Sequence, residues 1–370
     1  MSIKDIFCQD RAISILQRAF AVGKSPHAYI FAGPEGVGRF KTAREWAKML
    51  LCKNPVTKNG FADSCGSCES CRLFEAGSHA DFHLIYKELR EFTKDGKDKK
   101  TPVKFPIDVV REFVIDKVSN RPTLSQQKVF VLSEGEKLNT ESQNALLKVL
   151  EEPPAYCTII LLCTRLEKLL PTIKSRCRII RFGPIAEEKI IEKLKEIGIN
   201  QKQAQYWARL AQGSLGAASQ WAELELGDAN LYETKKELIS SLASYQYAGA
   251  EELAEWLLRE SKKLAAAWAD LDKATSKTDI NRRAQKTLVQ IIISALHDAM
   301  TLNLAGTKRI VNFDQAEQIR KLTERFDVEQ SAEKIADCYK TLRWIESSVN
   351  ERLIFEQLLL NLADSDKIKV

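Results

Sequence analysis

The chain has 370 residues, of which 44% are hydrophobic and 29% charged, so it is long enough for two or three domains with ordinary globular cores. Its formal net charge of +6 permits contact with a polyanion but does not demand one, because the basic residues are spread along the chain. No apolar run approaches the roughly 20 residues of a membrane helix, and the first residues lack the apolar core of a signal peptide, so no membrane attachment is expected.

The N-terminal half alternates short apolar runs with helical patterns, which indicates an α/β fold with a mainly parallel sheet. Nearly continuous apolar runs, such as residues 158–162, are typical of strands that are covered on both faces. Helical patterns lie between the strands, including one at 107–118 and one at 140–150. The predicted strands are residues 28–32, 82–86, 128–132, 157–163 and 178–182.

A glycine-rich turn follows the first predicted strand and precedes a helical pattern, which is the setting of a phosphate-binding P-loop, G-x-x-x-x-G-K-[S/T]. Gly33 and Gly38 occupy its two glycine positions, and Gly36 lies between them. Arg39 replaces the lysine that reaches the terminal phosphates, and Phe40 replaces the hydroxyl that ligates magnesium. Gly33, Gly36, Gly38 and Arg39 are therefore the candidate residues of a degenerate nucleotide site. Taken alone, so degenerate a loop is better interpreted as an ordinary glycine-rich turn, and the later motifs decide against that interpretation.

Four of the nine cysteines crowd into residues 52–71, and three of them have the spacing C-x2-C-x2-C. Four thiolates suit tetrahedral zinc in a structural site, which needs no open position. A ferredoxin-type iron–sulfur run would continue to a Cys-Pro pair, whereas Glu75 and Ala76 stand there. We therefore predict structural zinc in a reducing cytosol, with nearby His79 outside its shell. The predicted ligands are Cys52, Cys65, Cys68 and Cys71.

Residues 87–106 differ in kind from their surroundings, because Lys, Glu, Arg and Asp dominate them. A basic arm that binds nucleic acid is one interpretation of such a segment. The acidic residues mixed into it favour the other interpretation, a mobile and solvated insertion.

From about Pro184 onward the strand signal vanishes and helical patterns take over. Apolar and aromatic residues of the 249–274 pattern recur every three or four positions, which favours core packing over a platform that stacks bases. We expect a small bundle that ends near residue 244 and a larger one after it. The predicted helices are residues 187–197, 201–212, 214–225, 229–243, 249–274, 281–304, 313–325 and 328–362.

Three stretches carry a family resemblance, namely residues 128–139, 144–154 and 169–177, and the triplet Ser175-Arg176-Cys177 is the most specific part. They resemble the AAA+ clamp-loader subunits of bacterial DNA polymerase III, and the resemblance extends from residue 1 to about 225. It implies three domains. These are a RecA-like AAA+ domain (1–184) with the zinc module at 52–71, a small helical lid domain (185–245) and an all-α collar domain (246–370).

The family contains ATP-hydrolysing motor subunits, gamma/tau, and a non-hydrolysing partner, delta prime. A working site has an Asp-Glu pair after the buried strand, and this chain has Ser133-Glu134. The family's second-domain arginine, on a Gly-Ser-x-Gly-Arg element, is Ala217 here. With Arg39 and Phe40, four groups that position or stabilise the transferred phosphoryl are missing. The chain thus resembles delta prime, and neither ATPase activity of its own nor productive ATP binding is expected.

Arg176 is retained, and in the family this arginine enters the neighbouring subunit's nucleotide site as an arginine finger. Such a finger is worth on the order of 10³–10⁵ in rate. The alternative is that Arg176 pairs with a carboxylate of its own domain. Ser175 and Cys177 belong to the same motif, and Cys177 is expected to be a small buried residue and not a nucleophile.

The resemblance also implies the partners. The chain would join gamma/tau and delta subunits in a hetero-pentamer of the bacterial cytoplasm, associated with the nucleoid, that opens the sliding clamp and places it on primed DNA. Two other functions stay open. One is a gamma/tau-type ATPase in which Arg39 stands in for lysine, although arginine is not a conservative replacement. The other is a zinc-containing module that binds DNA alone.

Overall fold

The structure is a computed structural model that describes residues 2–58, 61–94, 104–227, 229–273, 275–305, 310–347 and 349–363. The chain divides into two compact units, Met1–Ile185 and Ala186–Val370. The first alternates strands and helices, and the described part of the second is helical. The further division of the second unit at residue 245 stays a prediction.

The first unit is built on a parallel sheet of five strands among the described residues, in the order β4-β5-β6-β1-β7. In its centre Ile30 pairs with Leu161, and Phe130 pairs with Ile159. All five strands coincide with predicted ones to within one residue. Their bounds are β1 Ala28–Ala32, β4 Phe82–Ile85, β5 Lys128–Leu132, β6 Cys157–Cys163 and β7 Arg178–Arg181.

Each face of this sheet carries its own core, because successive side chains of a strand point to opposite faces. Ile30, Phe130 and Leu161 lie in one apolar cluster. Tyr29 and Phe31 lie in the other. The helices that cover the two faces explain why the strands are apolar without alternation. The helices of this unit are α1 Asp10–Ala21, α2 Arg39–Leu51, α3 Glu69–Glu75, α4 Ile107–Val110, α5 Asp116–Val118, α6 Thr140–Glu151 and α7 Pro171–Arg176.

A strand pair and a π-helical turn of the first unit were not predicted. A short antiparallel pair, β2 Val56–Lys58 and β3 Phe61–Asp63, lies inside the cysteine-rich segment. The predicted helix over 107–118 is continuous, but a π-helical turn, Arg111–Ile115, separates α4 from α5.

The charged segment 87–106 is anchored at both ends. Lys87–Phe92 forms a 3₁₀ helix in which Lys87 is buried. At the other end Phe105 is fully buried, and its carbonyl oxygen accepts a hydrogen bond of 3.0 Å from Ser142 Oγ. Residues 95–103, on which the predicted mobile insertion centres, lie outside the described residues. The ends are therefore structured, which their charged composition did not indicate.

The described part of the second unit consists of helices α8 to α16. The prediction of one helix over 328–362 is wrong, because α15 ends at Ile345 and α16 begins at Glu351. Asn350 caps the new helix by accepting a hydrogen bond from the Arg352 N–H at 2.9 Å. The bounds are α8 Glu187–Glu196, α9 Gln201–Leu210, α10 Leu215–Leu226, α11 Leu231–Ala243, α12 Ala250–Leu271, α13 Lys277–Ala305, α14 Ala316–Arg325, α15 Val328–Ile345 and α16 Glu351–Leu362.

A buried ion pair ties the two predicted pieces of this unit together. Lys235 Nζ of α11 lies 2.6 Å and 2.7 Å from the two carboxylate oxygens of Asp314, and neither side chain is more than 1% exposed. The Tyr232 hydroxyl also donates to Asp314, at 2.7 Å. Burial lowers the pKa of Lys235 to about 8, although Asp314 opposes this. Each of these two buried charges is therefore tolerated only because the opposite charge lies beside it.

We expect Lys235→Met to destabilise the second unit by about 3–5 kcal/mol, because it leaves the Asp314 carboxylate buried without its cation. Urea denaturation followed by circular dichroism measures the change. Lys236→Met is the matched control, since Lys236 lies next on the same helix in an exposed pair with Glu233 and should change stability by less than about 1 kcal/mol. Equal effects of the two substitutions would contradict the role of the buried pair.

His83 should make the stability of the first unit depend on pH. His83 of β4 stacks on Phe130, with ring centroids 4.7 Å apart, and burial together with Lys117 and Lys128 lowers its pKa to about 4. The ordinary pKa of histidine is about 6.5, so the unfolded chain takes up the proton first. Protonation of His83 therefore leaves the free energy of unfolding unchanged above pH 6.5. That free energy falls as pH falls from 6.5 towards 4, because the unfolded chain binds the proton more tightly than the folded chain.

At pH 5 this loss should reach up to about 2 kcal/mol. His83→Phe should remove it, so the difference between the melting temperatures at pH 7.5 and pH 5 should shrink. Calorimetry of both proteins at the two pH values measures this, with His297→Phe, an exposed position, as the control. If the difference between the two melting temperatures is unchanged in His83→Phe, His83 is not the group responsible for the loss of stability at low pH.

Candidate functional site

The candidate nucleotide site lies where the carboxyl ends of the central strands meet. Because β1, β5 and β6 are parallel neighbours, the segments that follow them lie at one edge of the sheet, where ligands of open α/β sheets bind. The Gly33 N–H donates to the carbonyl oxygen of Cys163 at 3.1 Å, which joins the turn after β1 to the end of β6. A cavity of about 1040 Å³ opens here, lined among others by Gly33, Pro34, Thr164, Arg181 and the first residues of α1.

The glycines of the loop are required by its backbone. Gly36 and Gly38 have φ of 75° and 102°, in the left-handed region that side chains disfavour. A Cβ on Gly33 would lie 2.4 Å from the carbonyl oxygen of Phe182. Gly38 precedes α2, and its carbonyl oxygen accepts from both the N–H and the hydroxyl of Thr42 at 2.9 Å. The loop thus has the form of a P-loop backbone, and its use by a nucleotide stays a prediction.

Arg39 folds back onto the loop. Its Nε–H donates to the carbonyl oxygen of Pro34 at 3.1 Å. Burial lowers the pKa of Arg39, while the carboxylates of Glu136 and Glu35 oppose the change. The Arg39 side chain therefore bonds to the backbone of its own loop. Phe40, the next residue, is 44% exposed.

The residues that follow β5 are held by their own domain. Ser133 donates to the Ile85 carbonyl oxygen through both its N–H, at 2.9 Å, and its hydroxyl, at 3.2 Å. The Glu134 carboxylate pairs with Lys137 and lies 3.7 Å from Lys87 Nζ. Ser133 and Glu134, which stand where a working site has Asp-Glu, thus both contact groups of their own unit.

Sequence reasoning missed Glu136. Its two carboxylate oxygens accept from the N–H of Thr164 at 3.0 Å and from the Thr164 hydroxyl at 2.7 Å. Thr164 follows β6 and lines the cavity. The only signal in the sequence was an acidic residue shortly after a buried strand, which is too common to single out.

The Ser175-Arg176-Cys177 triplet spans the end of α7 and the start of β7. Arg176 Nη2 lies 2.9 Å from a carboxylate oxygen of Glu151, its Nη1 donates to the Thr172 carbonyl oxygen at 3.1 Å, and its side chain is 36% exposed. Ser175 donates to the same carbonyl oxygen at 3.0 Å. Cys177 is buried, which raises its pKa to about 12 and leaves it a thiol at neutral pH.

The four predicted metal ligands come together from three elements. Cys52 follows α2, Cys65 follows β3, and Cys68 and Cys71 belong to the first turn of α3. Their sulfurs all lie within 4.8 Å of one another. The separation is 3.5 Å for Cys52–Cys65, 3.9 Å for Cys52–Cys68 and 4.0 Å for Cys65–Cys71. Zinc–sulfur bonds of about 2.3 Å put the sulfurs of a tetrahedron roughly 3.8 Å apart, so one metal ion fits.

Backbone N–H groups point at several of these sulfurs, although burial raises the pKa of Cys52 and Cys71. The Cys65 N–H points at Cys52 Sγ, and the Cys68 N–H points at Cys65 Sγ, each at 3.3 Å. Although burial opposes it, such bonds from the N–H groups of Ser67 and Cys68 lower the pKa of Cys65 to about 6. A thiolate is the form that binds metal.

His79 lies beside the cluster but belongs to a hydrogen-bond network behind it. Its Nδ1 accepts from the Asp81 N–H at 3.1 Å, so the ring proton is on Nε2, which lies 2.9 Å from Ser70 Oγ. Ser70 and Ser125 donate to the carbonyl oxygen of Leu51, at 2.6 Å and 2.8 Å. The histidine therefore joins α3 to the end of α2 and is not one of the four clustered ligands.

The strand pair of the module is fastened to α1. The buried Gln17 side chain donates to the Ala62 carbonyl oxygen at 3.0 Å, and Ser2 Oγ donates to the Asp63 carboxylate. The first residues of α1 line the cavity at the sheet edge. One helix therefore contacts both the cysteine module and the candidate nucleotide site.

Two family models match the chain, "DNA polymerase III, delta subunit" over residues 8–186 and "DNA polymerase III, delta subunit, C terminal" over residues 263–364. The chain belongs to the clamp-loader subunits of DNA polymerase III. The helices of this clamp-loader subunit, as far as they are described, are too short or too polar to cross a bilayer.

Curated relatives carry the names of several subunits of this polymerase. The chain is 33% identical to the tau subunit of Escherichia coli (strain K12) over 218 residues, which are 57% of this chain and 31% of tau. It is 38% identical to the delta' subunit of Pseudomonas aeruginosa over 151 residues, 41% of either chain. With delta' of Bacillus subtilis it shares 23% identity over 96% of both. The chain thus spans about a third of the length of the tau subunit that it matches.

Among solved structures, a DNA polymerase III gamma-subunit-related protein of Thermotoga maritima covers 94% of this chain and 97% of its own, at 19% identity and a TM-score of 0.43. A likeness at that score adds nothing to the family assignment.

We expect Cys68→Ser to lower the metal content of the purified chain from one ion per chain, because a hydroxyl is a poor replacement for a soft thiolate ligand. Hydrogen exchange should rise in β3 and then in α1 around Gln17, which depends on β3 for its buried partner. Elemental analysis and exchange mass spectrometry measure the two effects.

Cys8→Ser is the control, since Cys8 is exposed and lies outside the cluster. One metal per chain in Cys68→Ser would show that the ligand set is different. Faster exchange confined to the cysteine segment would contradict the link to α1.

Proposed function

We propose that this clamp-loader subunit is of the delta prime type. It hydrolyses no ATP itself and completes the active site of a neighbouring motor subunit. The observation that carries this proposal is the use of Arg39, whose Nε–H bonds to the Pro34 carbonyl oxygen of the loop where a lysine would reach phosphate. The local contacts of Ser133 and Glu134 support it, since the magnesium-side carboxylate is missing.

Arg176 is the residue that the subunit would lend. Its pairing with Glu151 is a partly exposed contact, and such contacts are worth about 0–1 kcal/mol. A phosphate that develops charge in the adjoining site is a far stronger partner for a guanidinium. The Thr172 carbonyl oxygen meanwhile holds the side chain near the end of α7, so that little ordering is required on assembly.

The metal is proposed to be zinc with a structural role. Four sulfurs at tetrahedral separations complete the coordination of one ion and leave no position for water or substrate. An iron–sulfur cluster uses the same ligand type but spreads its cysteines around several metal atoms. The bound ion would fix the end of α2, the β2–β3 pair and α3 to one another.

We further propose the assembly. The chain would combine with gamma/tau and delta subunits in a hetero-pentamer in the bacterial cytoplasm, and the complex would place the sliding clamp on primed DNA. Residues 1–184 would form the AAA+ domain, 185–245 the lid domain and 246–370 the collar domain that packs with its counterparts.

A motor subunit of the gamma/tau type is the second candidate. The observation that favours it is the identity of 28% with the gamma subunit of Buchnera aphidicola (Schizaphis graminum) over 97% of this chain and 94% of that subunit. ATP hydrolysis by the purified chain, abolished in Arg39→Ala, would establish this candidate and end the first.

Arg176→Ala should reduce turnover at the adjoining site by on the order of 10³, so the ATPase rate of the reconstituted complex should fall by that site's share. Steady-state ATPase measurement with clamp and primed DNA gives the rate, and gel filtration checks that the complex still assembles. The matched control is Glu151→Ala, which removes the partner of Arg176 within its own domain and should leave the rate unchanged. A full rate in an assembled Arg176→Ala complex would refute the finger.

A further inference from the structure

Glu136 occupies a position that its sequence context does not explain. It lies in the 3₁₀ turn Gly135–Lys137 that follows β5, and both of its carboxylate oxygens are taken by Thr164. Thr164 lines the cavity together with Gly33 and Pro34. The carboxylate therefore lies behind the polar group that faces the loop.

The turn that carries Glu136 is pressed against the end of β6. A Cβ on Gly135 would lie 3.0 Å from the carbonyl oxygen of Leu162, so the backbone of the turn packs closely against the end of the strand. The next carbonyl oxygen, that of Cys163, accepts from Gly33 of the loop at 3.1 Å. Glu136 is thus bonded to Thr164 and the loop to Cys163, so both are held at the end of the same strand.

The Glu136 carboxylate and the Thr164 groups that donate to it resemble an anion site that is already filled. A phosphate bound to a P-loop is contacted by a basic side chain, by backbone N–H groups and by polar groups on the adjacent strand. Here the Glu136 carboxylate accepts from an N–H and a hydroxyl of Thr164 at the adjacent strand end, and its charge opposes the lowering of the Arg39 pKa by burial. The N–H and the hydroxyl of Thr164, which are polar groups that a phosphate could use, therefore already have an anion of the chain itself.

We propose that Glu136 is an internal anion that takes the electrostatic place of the terminal phosphates and thereby excludes nucleoside triphosphates from the degenerate loop. This inference deepens the proposed non-hydrolysing function and rests on it. The missing lysine explains weak binding of ATP. The added carboxylate explains exclusion, because a triphosphate that entered the loop would meet a fixed negative charge in a partly desolvated site.

The test uses the full chain and Glu136→Gln, which keeps the length of the side chain and its ability to bond to Thr164 but removes the charge. Binding of ATP and of inorganic pyrophosphate, followed by isothermal titration calorimetry, should be at least tenfold tighter than in the unaltered chain. Adding Arg39→Ala to this variant should abolish the gain. Hydrolysis should stay absent, because the lysine and the magnesium-side aspartate are still missing.

Glu167→Gln is the matched control, since Glu167 also lines the cavity and carries the same charge. Its effect on binding should be less than threefold. An equal gain in both variants would reduce the effect to net charge and overturn the role of Glu136, and so would Glu136→Gln that binds no better than the unaltered chain. Glu136→Met, neutral and of similar length, must give the same gain, and it carries the test if the glutamine variant does not fold.

The outcomes separate this inference from the function on which it rests. ATP turnover by the unaltered chain would remove the proposed function. A chain without turnover whose Glu136 variants gain no affinity would remove the internal anion alone.

Discussion

The parallel arrangement of β1, β5 and β6 is the constraint on which the candidate site depends. Parallel neighbours deliver their carboxyl ends to one edge, so three segments far apart in the chain meet there without any contact among their side chains being needed. The backbone bond from Gly33 to Cys163 then fixes the loop to the strand end. Side chains at this edge can be replaced without loss of the scaffold, which is how a loop can keep its shape while Arg39 turns inward.

The cysteine module depends on the same scaffold through buried polar contacts. Ser70 and Ser125 both donate to the carbonyl oxygen of Leu51, and His79 bonds to Ser70. Gln17 of α1 donates to the carbonyl oxygen of Ala62. A buried polar group that loses its partner costs about 1–3 kcal/mol, so these contacts form or fail together. Binding of a metal ion to the four cysteines would therefore help to order α1 as well as the ligands themselves.

The sequence allowed the strands and the clustering of the four cysteines to be predicted because each signal is local. Apolar runs such as 158–162 mark a strand covered on both faces, and the spacing of the cysteines is itself the geometry of a site. The break before Glu351 was missed because one capping asparagine weighs little against continuing periodicity. Lys235 and Glu136 were missed for another reason. Their partners, Asp314 and Thr164, lie 79 and 28 residues away, and only the folded chain brings them together.

Gly33 has a consequence for how degenerate relatives of this kind are recognised. Its side-chain hydrogen faces the carbonyl oxygen of Phe182, where a methyl group would clash, so β1 and the residue after β7 could not approach without a glycine. Selection for folding alone would keep that glycine even in a chain that bound no nucleotide. The first glycine of such a loop therefore reports on packing, and a search that counts it as proof of ATP use would overestimate the number of working ATPases.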